Sequence, residues 1–118
     1  MLQEYNPKNE KIFIHVNGEL LPRDEAKVSV FDSIVQNGDG VWEGLRVYPE
    51  GIVCYDKHLT RLQEGAHALS YEGIPSKKQI KKAIKAVPDD QLEGMEWLIT
   101  HMPDVWGVNW SLNCTIMD

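Results

Sequence analysis

Cysteine is scarce in this 118-residue chain: Cys54 and Cys114 are the only two, and neither belongs to a Cys-x-x-Cys pair. That excludes a disulfide scaffold and a thiolate metal ribbon. No apolar run approaches the ~20 residues needed to cross a bilayer, and Met1-Leu2-Gln3-Glu4-Tyr5 lacks the basic-then-apolar layout of a secretory leader. Positive charge is also short, with 12 Lys and Arg against 18 Asp and Glu and a net charge of −6. A chain so acidic is poorly suited to nucleic-acid backbones or anionic membranes, both of which require basic surface. These scarcities predict a reduced, soluble, cytoplasmic chain with no nucleic-acid and no membrane partner.

The usual catalytic signatures are missing as well. His15, His58, His67 and His101 are far apart, and none has ligand spacing with a cysteine or carboxylate, so no metal site is expected. There is no Gly-x-Ser-x-Gly, and Gly38-Asp39-Gly40 has no third glycine, which makes it a turn rather than a dinucleotide loop. What remains is ordinary globular composition, 42 % hydrophobic and 25 % charged, in a length that suits one core.

The pattern along the chain starts with strands. Ile12-Phe13-Ile14-His15-Val16 is β-branched and aromatic, and Asn17-Gly18 accepts positive φ at both turn positions, so Glu19-Leu20-Leu21 runs back until Pro22. Val28 to Phe31 is a short apolar stretch, and Asp32 or Ser33 caps one helical turn through Ile34 and Val35. Val41 to Tyr48 reads as a longer strand, with Pro49-Glu50-Gly51 turning it into Ile52-Val53-Cys54-Tyr55. On that reading Cys54 is a buried structural thiol in mid-strand.

The period then becomes helical. Leu59, Leu62, Ala66 and Leu69 share one face, with Asp56 as a cap and Gly73 beyond the end. Pro75-Ser76 opens a second helix with capping-box spacing from Ser76 to Gln79, an apolar face of Ile80, Ala83, Ile84 and Val87, and a stop at Pro88. Lys77, Lys78, Lys81, Lys82 and Lys85 lie opposite that face and read as its solvated side. Two hairpins followed by two amphipathic helices predict an α+β fold, the helices packed on one face of an antiparallel sheet. From Met95 onward no period is clear. Arg61 stands out as one of three arginines, near a helix start where amides and macrodipole favour anions. The plainer reading pairs it at the surface with Glu64 or Glu72.

Four segments carry a resemblance in order and spacing: Val16-Asn17-Gly18-Glu19, then Glu25 to Asp32, then Gly38-Asp39-Gly40-Val41-Trp42-Glu43-Gly44-Leu45-Arg46-Val47-Tyr48, then His58-Leu59-Thr60-Arg61-Leu62. Over residues 11–87 they resemble the N-terminal domain of the class IV, fold-type IV pyridoxal-phosphate enzymes, which include branched-chain and D-amino-acid aminotransferases and aminodeoxychorismate lyases. The resemblance implies that Arg61 binds the phosphate of pyridoxal 5'-phosphate and that Trp42 lines the substrate pocket. Asn37 takes a neighbouring pocket position where some branched-chain members carry tyrosine. The roles of Glu43 and Arg46 stay open.

The same resemblance assigns no catalytic residue to this chain, because the family's Schiff-base lysine belongs to a C-terminal domain beyond this sequence. It implies a class IV-like domain over 1–92 and a divergent or truncated tail over 93–118. Family members are homodimers that move an amino group from an amino acid to a 2-oxo acid. This chain is accordingly expected to be such an enzyme's N-terminal domain, inactive by itself. The alternative is a non-catalytic, stand-alone dimerisation or binding domain.

Overall fold

The computed structural model describes residues 6–87, 94–101 and 108–115. Strands β1 (Phe13–Val16) and β2 (Glu19–Pro22) form the first hairpin, with Val16 opposite Glu19. Asn17 at φ 49° and Gly18 at φ 91° make the turn, as the Asn-Gly pair predicts. Asp32, not Ser33, caps the single turn of α1 (Ser33–Gln36), its carboxylate accepting from the Ile34 amide at 3.0 Å.

Strand β3 (Gly40–Tyr48) turns into β4, which is only Gly51–Ile52. The expected continuation to Tyr55 fails because Cys54 is left-handed, at φ 52°, and an extended strand cannot pass through that conformation. Cys54 instead stands exposed at the N-cap of α2 (Tyr55–Ala68), so the expectation of a buried thiol is corrected. Asp56 lies inside the first turn rather than capping it. Helix α3 (Lys77–Lys85) opens on the capping box that Ser76 and Gln79 predict.

Strands β5 (Gly94–His101) and β6 (Val108–Thr115) arise where the sequence shows no clear period. They pair with each other and join the two earlier hairpins into one antiparallel sheet of order β2-β1-β6-β5-β3-β4. The α+β expectation holds, with this third hairpin as the addition.

The core forms where the helices meet β3: Leu45 packs with Leu59, Leu62 and Ala66 of α2, and with Ile80, Ala83 and Ile84 of α3. Leu59, Ala66 and Ile80 are fully buried. Burying each such aliphatic side chain contributes about 1.5–3 kcal/mol, which fixes α2 across β3. No helix among the described residues is long and apolar enough to cross a membrane.

Candidate functional site

Successive side chains of a strand point to opposite faces, and along β3 this sorts the candidate residues. Glu43 and Leu45 are buried on the helix side, while Trp42, Gly44 and Arg46 are exposed on the other. A carboxylate on the core-facing side must find partners or be neutralised. α2 supplies two partners three residues apart, on the face it turns toward β3.

Arg61 Nε donates to Glu43 Oε1 at 2.5 Å, and Arg61 Nη2 donates to Oε2 at 2.8 Å. His58 Nδ1 lies 2.6 Å from the same Oε2. An ionised carboxylate only accepts, so Nδ1 carries the proton. The Arg61 hydrogen bonds hold the Glu43 carboxyl below the usual glutamate range against the opposing effect of burial, with His58 assisting. Glu43 in turn raises the Arg61 guanidinium further.

This bidentate pairing uses only one edge of the guanidinium. The Glu43 side chain is 6 % exposed and that of Arg61 is 71 % exposed, so the outer edge of the fork faces solvent. An arginine held along its Nε edge with Nη1 outward is suited to an oxyanion such as a phosphate. Arg61 is the seventh residue of α2, beyond the first turn that the sequence suggests and beyond the free amides of the helix N-terminus. Its partner is Glu43 rather than Glu64 or Glu72.

Trp42 is 66 % exposed, and a methyl group on Gly44 would lie 3.5 Å from its Cζ3, so the indole extends along the strand beside Gly44. Arg46 stacks over the Tyr48 ring at 5.8 Å on the same face. Asn37 is the exposed C-cap of α1. The loop between Asn37 and β3 is pinned from below: Ser33 Oγ donates to the Asp39 carbonyl at 2.7 Å, and Tyr71 Oη donates to the same oxygen at 3.0 Å. Gly38 at φ 73° allows that loop to turn. The structure therefore joins Arg61 to Glu43 and His58, and sets Trp42 on the opposite face of β3.

The lysines of α3 remain a solvated face. Lys77 Nζ donates to Asp56 at 3.0 Å and to Thr60 at 2.6 Å, and Lys81 covers the Tyr55 ring at 5.2 Å. Among the described residues no group of three or more His, Cys, Asp or Glu side chains could hold a metal ion.

Glu43 was legible in principle. By strand parity it falls in register with Leu45, and an inward carboxylate calls for a cation. The helix presents two candidates at His58 and Arg61.

No protein-family model matches the chain. Branched-chain-amino-acid aminotransferase-like protein 1 of Arabidopsis thaliana is 50 % identical over 78 residues, 66 % of this chain and 14 % of that protein. A D-alanine aminotransferase of Bacillus licheniformis is 33 % identical over 73 residues, 62 % of this chain and 26 % of that protein. Among solved structures, the T.th. branched-chain amino acid aminotransferase with pyridoxamine 5'-phosphate matches at a TM-score of 0.80 and 22 % identity, over 92 % of this chain and 40 % of that one. The chain thus spans between 14 % and 26 % of these curated relatives.

Proposed function

The chain carries the N-terminal domain of a class IV aminotransferase, and on that premise we propose that it supplies the cofactor-phosphate anchor of a pyridoxal-phosphate enzyme that moves an amino group from an amino acid to a 2-oxo acid. The observation that carries this reading is the Arg61 fork, clamped on its inner edge and open on its outer one. Arg61 holds the phosphate as a bidentate partner. Trp42 and Asn37, across β3 from Arg61 on the exposed face and in the preceding loop, line a substrate pocket that the remainder of the enzyme completes. Bound pyridoxal phosphate supplies the electron sink that makes the substrate's α-proton removable. The amine and base for that step belong to the remainder of the enzyme.

A second reading, a homodimerising or binding domain without catalysis, draws support from the run of exposed apolar side chains Val28, Val30, Phe31 and Val35. A titration separates the two. Pyridoxal phosphate and inorganic phosphate are expected to perturb the backbone amide resonances of α2 around position 61 at millimolar ligand, while pyridoxal without its phosphate does not. Arg61→Ala is expected to abolish the response. Equal responses to pyridoxal, or an unaltered response in Arg61→Ala, would favour the binding domain.

A further inference from the structure

We infer that Glu43 is a positioning residue for anion capture: buried under α2, it fixes the rotamer of Arg61 so that the outer edge of the guanidinium is presented to an incoming phosphate. The inference rests on the phosphate role given to Arg61 above and adds a second residue that acts through it.

Three observations carry it. The Glu43 side chain is held in the sheet at 6 % exposure, whereas the Arg61 side chain is 71 % exposed. A long side chain that open to solvent ordinarily samples many rotamers and loses that freedom when it captures a ligand. Both Glu43 oxygens are engaged by Arg61, through Nε and Nη2, which sets the plane as well as the position of the guanidinium. His58 Nδ1 holds Oε2 from a neighbouring position on the same helix, so the carboxylate cannot rotate to release one arginine nitrogen without losing a second partner.

Electrostatics alone argue for the opposite outcome. A carboxylate beside a phosphate site repels the anion, and removing it should tighten binding. The guanidinium lies between the two, and on its outer side water screens the repulsion. Preorganisation reduces the ordering cost of capture directly. If positioning dominates, loss of the carboxylate weakens anion binding despite the more favourable charge, so the sign of the effect decides.

The test is a double-mutant cycle on the 118-residue chain with inorganic phosphate as the probe, read by nuclear magnetic resonance. Glu43→Gln is expected to weaken phosphate binding about tenfold, with backbone resonances distant from β3 unchanged. Lysine at position 61 keeps a point charge but has no fork to orient. In an Arg61→Lys background, therefore, Glu43→Gln is expected to change affinity less than twofold. Unchanged or tighter binding in Glu43→Gln, or an equal loss in both backgrounds, would overturn the inference. A measurement on the unaltered chain stands beside it, needing no variant to fold. On adding phosphate, the Arg61 Nη protons should shift while the Nε proton keeps its position, and movement of Nε away from Glu43 would also overturn the inference. If phosphate shifts no Arg61 resonance in the unaltered chain, the anchoring role itself fails. If phosphate shifts Arg61 but Glu43→Gln binds normally, only the positioning role fails.

Discussion

Gly65 on α2 lies directly over Val41 on β3: a methyl group at position 65 would come within 3.0 Å of Val41 Cγ1. This glycine sets how closely the helix approaches the strand that carries Glu43. Glycine within a helix ordinarily costs about 0.5–1 kcal/mol relative to alanine. Here the stiff χ1 of a β-branched neighbour opposes the change, and crowding of this kind costs about 1–3 kcal/mol. Gly65→Ala is expected to destabilise the chain by about 1 kcal/mol in urea unfolding. In a Val41→Ala background the same substitution should stabilise it, because the clash is gone and the helix preference remains. Stabilisation in both backgrounds would show that the approach is looser than described.

Glu43 also links stability to pH. Its folded pKa lies below the ordinary glutamate value of 4.5, so its contribution is present above that value and is lost as pH falls toward the folded pKa. Thermal unfolding followed from pH 7 to pH 3 should show the midpoint of the unaltered chain falling more steeply below pH 4.5 than that of Glu43→Gln. Parallel curves would mean that the pair with Arg61 adds no net stability. At pH 7 the Gln variant is expected to be the less stable of the two, by an amount that solvent screening at the exposed Arg61 guanidinium keeps small.

Ser76 gives a simpler case. Its hydroxyl accepts from the Gln79 amide at 3.2 Å, and the Gln79 side chain accepts from the Ser76 amide at 2.8 Å. Ser76→Ala is expected to cost about 1 kcal/mol. Circular dichroism melts and urea midpoints would check it, and a loss below about 0.3 kcal/mol would mean that packing of Ile80 and Ile84 alone fixes the start of α3.

The chain by itself is expected to show no aminotransferase turnover. All nine lysines fall within the described residues, and each is exposed or half-exposed. None is hydrogen-bonded to Glu43, His58 or Arg61. Borohydride reduction with pyridoxal phosphate, followed by peptide mapping, should give scattered, partial labelling of surface lysines. One lysine labelled stoichiometrically, together with turnover, would overturn this expectation.

Much of the framework is legible from local chemistry. Asn17-Gly18 specifies the first hairpin, Asp32 the turn of α1, and Ser76 with Gln79 the start of α3, because each acts through residues no more than three apart. The start of α2 is misread because Val53-Cys54-Tyr55 has strand composition, and only the left-handed backbone at Cys54 ends the strand. Trp97-Leu98-Ile99-Thr100 places apolar residues at consecutive positions, so neither alternation nor a helical period emerges, although it forms part of β5. The Glu43 pairing with His58 and Arg61 spans a whole hairpin and a helix start, a distance over which spacing carries no information without strand parity.

The order of the strands has a consequence for how the molecule is made. β5 and β6 occupy the middle of the sheet yet follow β1 to β4 and both long helices in the sequence. During synthesis β1 and β3 emerge first, each with one flank of unpaired amides and carbonyls awaiting a partner not yet translated. Such open flanks readily recruit strands from other chains. A nascent polypeptide of this design is most vulnerable to association just before residue 94 leaves the ribosome. A reading frame interrupted there would yield two hairpins with nothing between them, a better seed for aggregates than for a folded domain.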